Sequence, residues 1–154
     1  MNMQNNPNTA ITLFTIGFTK KNARTFFSLL KQAGVKRVID IRLNNQSQLA
    51  GFTKKEDLRY FLKAIADIDY IYRPELAPTK EILNDYKKKK ITWADYERLF
   101  KELLNQRKPE TLIDRSELDK ACLLCSEPKA DQCHRRLVAE YFHKKMLGIS
   151  IQHL

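Results

Sequence analysis

Short apolar runs separated by helix-length amphipathic stretches are the feature that most constrains the fold of this chain. Residues 11–16 (ITLFTI) are β-rich and are closed by Gly17, which reads as a first strand. Over residues 21–33, Phe26, Phe27, Leu29, Leu30 and Ala33 recur at helical spacing, and Gly34 follows as a C-cap. Residues 37–41 (RVIDI) are a second strand. Thr53-Lys54-Lys55-Glu56 matches a capping box and opens a helix with Leu58, Phe61, Leu62 and Ile65 on one face. Residues 70–72 form a third strand, stopped by Pro74.

Two helices fill the middle, residues 79–89 and 92–106. Thr92 and Asp95 give the second a box-like start, and Trp93, Tyr96, Leu99, Phe100 and Leu103 line its inner face. A tryptophan at that spacing reads as core. Residues 108–118 are polar, a loop or short turn of helix. Residues 121–125 (ACLLC) are a fourth strand. Asp131 reads as the cap of a helix carrying Leu137, Val138, Tyr141, Phe142 and Met146; Gly148 ends it, and residues 149–151 are a last strand. Strands joined by helical crossovers predict a single Rossmann-like α/β domain, with a mostly parallel sheet of about five strands and helices on both faces. A chain of 154 residues suits one such domain, residues 11–154, behind an Asn-rich N-terminal tail at residues 1–10.

No apolar run approaches the ~20 residues that span a bilayer. The N-terminus has no basic region followed by an apolar one, so the protein is expected in the cytoplasm. Three cysteines, an odd number, argue against a disulfide framework. The formal charge of +10, from 28 Lys and Arg against 18 Asp and Glu, favours phosphate-bearing partners, a small molecule or a nucleic acid. Lysine-solvated helix faces would give the same balance, and the Lys87-Lys88-Lys89-Lys90 run also suits a helix C-terminus.

Ligands of open parallel sheets bind beyond the carboxyl ends of the strands. The residues there are Gly17-Phe18-Thr19, Arg42, Arg73-Pro74-Glu75 and Cys125-Ser126-Glu127, with Cys133-His134-Arg135-Arg136 in the first turn of the last helix. Asp40, between Ile39 and Ile41, must be paired to be tolerated inside a strand. Arg42 points to the same face, so the two form either a brace for a loop or part of a substrate site. The last helix's free N–H groups, with Arg135, Arg136 and Arg42, suit an anion such as a phosphate or phosphodiester.

Cys133, placed near the second helical position, would have its thiol pKa lowered there and serve as a nucleophile; the alternative is a small residue packed under the loop. His134 is an acid–base group or a hydrogen-bonded positioning residue. Glu75 and Glu127 are further candidates for proton transfer. A metal site from Cys122, Cys125, Cys133 and His134 is disfavoured, because residues three apart on a strand face opposite ways and adjacent Cys and His rarely share an ion. No metal is therefore expected, and no cofactor is identified. A zinc-stabilised regulatory protein and a non-catalytic nucleic-acid-binding module remain as alternatives to an enzyme. GxGxxG and GxxxxGK[ST] patterns are absent, as is a Gly-rich Cys-to-Arg phosphatase loop.

Thr15-Ile16-Gly17, Asp40-Ile41-Arg42, Pro74-Glu75-Leu76 and Leu123-Leu124-Cys125-Ser126-Glu127 with Cys133-His134-Arg135, in that order and spacing, resemble the domain-of-unknown-function family 488, whose members look like small Rossmann-like proteins of bacteria and archaea. Residues 149–154 fit that family's terminal strand. The resemblance implies at most an enzyme-like pocket and a connection to nucleic-acid metabolism. Two positions depart from the family pattern: Phe18 stands where His is usual, and Ala77-Pro78 where Gly is frequent. If the usual His takes part in chemistry, this chain is altered in rate or substrate, or is inactive.

Overall fold

All five strands run parallel, so every connection must cross the sheet and cover one of its faces. The strands are β1 (Ile11–Gly17), β2 (Arg37–Asp40), β3 (Asp69–Tyr72), β4 (Ala121–Cys125) and β5 (Ile149–His153), ordered β3-β2-β4-β1-β5. The crossovers carry α1 (Ala23–Ala33), α2 (Lys55–Ala66), α3 (Lys80–Lys87), α4 (Trp93–Arg107), the short α5 (Arg115–Leu118) and α6 (His134–Lys145). The computed structural model describes residues 9–45, 51–127 and 129–154; the expected tail falls outside these except for Thr9 and Ala10.

Alternation along the strands splits the core in two. Leu13, Ile39, Ile41 and Leu123 pack with Phe100 and Leu104 of α4 and Leu137, Val138 and Phe142 of α6. Phe14, Ile16, Val38 and Leu124 face the other way, against Phe26, Phe27 and Leu30 of α1 and Leu58 and Leu62 of α2. The expected Rossmann-like domain with helices on both faces is therefore present. β4 is buried along its whole length, which explains its unbroken apolar run. Truncating Leu123 or Leu124 there would cost about 2–5 kcal/mol.

Helix ends follow local chemistry, as α1 and α4 show. Asn22 caps α1 by accepting from the Thr25 N–H at 2.8 Å, and Gly34 closes it at φ 75°. Thr92 and Asp95 form a reciprocal box at the start of α4. Two expected caps are corrected. Thr53 is buried in a 3₁₀ turn, where its carbonyl accepts from Arg42 Nη2 at 2.7 Å; Lys54 precedes α2 with no side-chain cap. Asp131 is exposed and lies before the helix, and the N-cap of α6 is Cys133. Ile65, expected on the inner face of α2, is 47% exposed. No helix among the described residues is long and apolar enough to cross a membrane.

Candidate functional site

Strand register brings the predicted residues to one edge. Gly17 lies level with Cys125, and Asp40 with Leu124 and Tyr72. β4 then sends the chain to the α6 face, whereas its neighbours β1 and β2 send theirs to the α1/α2 face. A crevice opens at such a reversal. Here it is a cavity of about 410 Å³ beyond the end of β4, within the range of small-molecule sites. Phe18, Arg42, Cys125, Ser126, Glu127, Cys133 and His134 are on its wall, and the facing side comes from α3 and α4 through Tyr86, Lys87, Trp93 and Tyr96.

Main-chain bonds hold the rim. The Phe18 N–H donates to the Cys125 carbonyl at 3.3 Å, Thr19 N–H to Ser126 O at 3.1 Å, and Ile41 N–H to Leu124 O at 3.2 Å. Gly17 leaves room for the loop to cross, because the Glu127 carbonyl and the Arg135 guanidinium occupy the space of its missing side chain. Arg135 is 1% exposed; it donates to the Glu127 carbonyl and to Thr15 Oγ1, and it is not on the cavity wall. The expected anion ligand thus clamps the β4–α6 loop from beneath.

Arg42 is the buried cation on the wall. Asp40, fully buried, takes its Nε and Nη2 bidentately at 2.9 Å each and its backbone N–H at 3.1 Å, and the Tyr70 hydroxyl donates to the same carboxylate at 2.5 Å. Burial, then the charge of Asp40, pushes the Tyr70 hydroxyl pKa up, so it stays a donor. Arg42 Nη1 has no hydrogen-bond partner among the described residues. A buried donor on a cation left in that state costs on the order of 1–3 kcal/mol or more. The Phe18 ring lies over the guanidinium, 5.4 Å from Cζ to centroid. Phe18 therefore covers one face of Arg42.

Cys125, Cys133 and His134 converge, all buried. His134 Nε2 lies 2.7 Å from the Ile41 carbonyl, which only accepts, so Nε2 carries the proton and Nδ1 faces Cys125 Sγ at 3.3 Å. Burial would raise the Cys125 thiol pKa, but hydrogen bonds from the Cys133 thiol and the Glu127 and Ser126 N–H groups, with the charge of Arg135, outweigh it and hold that pKa below the ordinary range. Cys133 shows the reverse of the expected shift: burial, and donation to Cys125, push it well up. Cys122 faces the α1/α2 core, and burial raises its pKa too.

Glu75 lies away from the cavity, pairing with Arg73 at 3.4 Å, and Arg73 also binds Glu117. Glu127 is the exposed carboxylate on the wall. Trp93, read as core, is only partly buried and lines the cavity, stacked on Tyr96 at 4.9 Å. Its helical spacing with Tyr96 and Phe100 hid this. The one sequence signal was its place in the first turn, beside the loop from α3.

No curated protein and no solved structure matches this chain. A family model does, over residues 22–142, which includes the Asp40-Ile41-Arg42, Pro74-Glu75-Leu76 and Cys125-to-Arg135 pieces but neither β1 nor β5. The matched span is most of the chain, and the protein belongs to the family Domain of unknown function DUF488.

Proposed function

We propose that the cavity binds a phosphate-bearing substrate, a nucleotide or a nucleic-acid end, and acts on it. The observation that carries this reading is Arg42: a buried guanidinium on the cavity wall, held on two sides by Asp40 and Thr53, with Nη1 left without a partner among the described residues. A phosphate oxygen supplies the missing acceptor in a charge-assisted bond. Lys87 adds positive charge at the rim, and the Trp93 and Tyr86 rings offer flat surfaces to a base. Glu127 is the group placed to move a proton, with Ser126 beside it and Cys133 and His134 behind.

Trp93 is the chain's single tryptophan, so its fluorescence reports occupancy of the cavity. Titration with a nucleoside monophosphate should change the emission saturably. Arg42→Lys keeps a positive charge for Asp40 but loses the fork, and should weaken binding about tenfold to hundredfold. Glu127→Gln should retain binding and lose turnover. No saturable response, or equal affinity in wild type and Arg42→Lys, sinks the reading. Arg135→Ala is a poor probe, since it removes a buried clamp.

A second reading, a nucleic-acid-binding module without catalysis, draws on the exposed Lys88, Lys89 and Lys90 that follow Lys87 away from the cavity. It requires affinity for a single-stranded oligonucleotide that falls steeply with salt and ignores Glu127→Gln. A salt-insensitive affinity counts against it.

A further inference from the structure

We propose that Cys125, Cys133 and His134 form a binding site for one zinc-type divalent ion, with a fourth coordination position open to the cavity. This stands on atoms other than the Arg42 guanidinium and goes beyond the anion reading. The two Sγ atoms and a ring nitrogen of His134 all lie within 4.8 Å of one another. Tetrahedral zinc, with Zn–S about 2.3 Å and Zn–N about 2.0 Å, puts its ligand atoms roughly 3.5–3.8 Å apart. The Cys125 Sγ to His134 Nδ1 distance of 3.3 Å needs only a few tenths of an ångström of adjustment.

Three features favour a metal over a mere thiol cluster. The donor set, two thiolates and an imidazole, is the borderline-soft set that selects zinc over magnesium or calcium. The ring is already oriented for ligation, because Nε2–H donates to the Ile41 carbonyl at 2.7 Å and leaves Nδ1 as the coordinating atom. All three ligands come from rigid positions: the last residue of β4, the N-cap of α6 and the first residue of α6. Adjacent Cys and His rarely share an ion, but here Cys133 is extended, φ −137° and ψ 140°, while His134 is helical. The backbone turns between them, and both side chains meet Cys125.

Binding releases the two thiol protons, and the neutral imidazole gives its Nδ1 lone pair, so the ion and its protein ligands carry no net charge. All three ligand residues are also on the cavity wall, which gives the fourth position to water or substrate, as in catalytic rather than structural zinc sites.

The test uses the full chain, purified reduced and without chelator, then loaded with zinc alone or cobalt(II) alone and dialysed. One metal per chain is expected, and the cobalt form should show a sulfur-to-cobalt charge-transfer band with the intense visible bands of tetrahedral cobalt. Cys125→Ser and Cys133→Ser should each weaken zinc at least about 100-fold against a competing chelator, more than loss of an outer-shell partner does. Cys122→Ser, on the opposite face, should bind as wild type. Less than about a tenth of an equivalent on the reduced wild type, a cobalt spectrum without a thiolate band, or unchanged affinity in either serine variant overturns the site. The wild-type cobalt spectrum decides even if a variant fails to fold. Nucleotide binding by Trp93 fluorescence is read separately, so one proposal can fail without the other.

Discussion

The main chain of Gly17 runs so close beneath the Glu127 carbonyl that a Cβ at residue 17 would lie 1.6 Å from that oxygen and 2.7 Å from Arg135 Nη1. The loop after β4 is seated on the missing side chain of β1, and Arg135 fastens it there.

Gly17→Ala should therefore displace the Glu127 segment and lower stability by about 1–3 kcal/mol, the usual cost of overpacking. Urea denaturation should show a lower midpoint with an unchanged slope. Gly51→Ala is the control: a Cβ there meets nothing within 4 Å, and the change should stay within about 0.5 kcal/mol.

Asp40→Asn leaves Arg42 buried without its counter-charge and should cost about 3–5 kcal/mol. Tyr70→Phe removes one donor to the same carboxylate and should cost about 1.5–3 kcal/mol. Measured together, the two changes should be non-additive, since both act on one carboxylate. Simple additivity would mean that the network is not coupled.

Glu75→Gln should leave nucleotide affinity within about twofold of wild type, because Glu75 faces Arg73 and not the cavity. A large loss of affinity would return Glu75 to the site.

His153 predicts a pH dependence of stability. Its Nδ1 is 2.6 Å from Thr15 Oγ1, and that oxygen also accepts from Arg135 Nε at 3.3 Å. The Thr15 hydroxyl proton is free to donate to Nδ1 of the neutral ring. Burial, then the charge of Arg135 and that of Arg136, lower the His153 pKa, while Glu140 and Asp131 oppose them. The folded pKa is below the ordinary 6.5, so the folded state takes the proton less readily than the unfolded chain. The associated stability is complete above pH 6.5 and is lost as pH falls through the folded value. Urea midpoints between pH 7.5 and 5 should fall in wild type and fall less in His153→Gln. Equal slopes would remove His153 from the account.

The sheet was legible because burial on both faces leaves an unbroken apolar run in β4 and helix-length spacing between strands. The Asp40–Arg42 pair was legible too, since period-two geometry carried on past the end of β2 puts both on one side. Other features depend on contacts remote in sequence. Thr53 has the residue type of a cap, but its carbonyl is taken by Arg42, eleven positions earlier. Arg135 of α6 faces inward because Gly17, at the end of β1, leaves it space. At Cys133 the helix field was expected to lower the thiol pKa; near-complete burial, and donation to Cys125 as the better hydrogen-bonded thiol, reverse the sign.

The rim of the cavity is tied by peptide groups, Phe18 N–H to Cys125 O and Thr19 N–H to Ser126 O, so the frame does not depend on which side chain residue 126 carries, whereas the buried Phe18 ring also belongs to the core. Chemistry there can be exchanged without rebuilding the scaffold. Phe18 lies over the Arg42 guanidinium, and Ser126 lines the cavity beside it. Specificity at this edge is a matter of side-chain wardrobe, and laboratory selection at position 126 should change ligand preference long before it unfolds the protein.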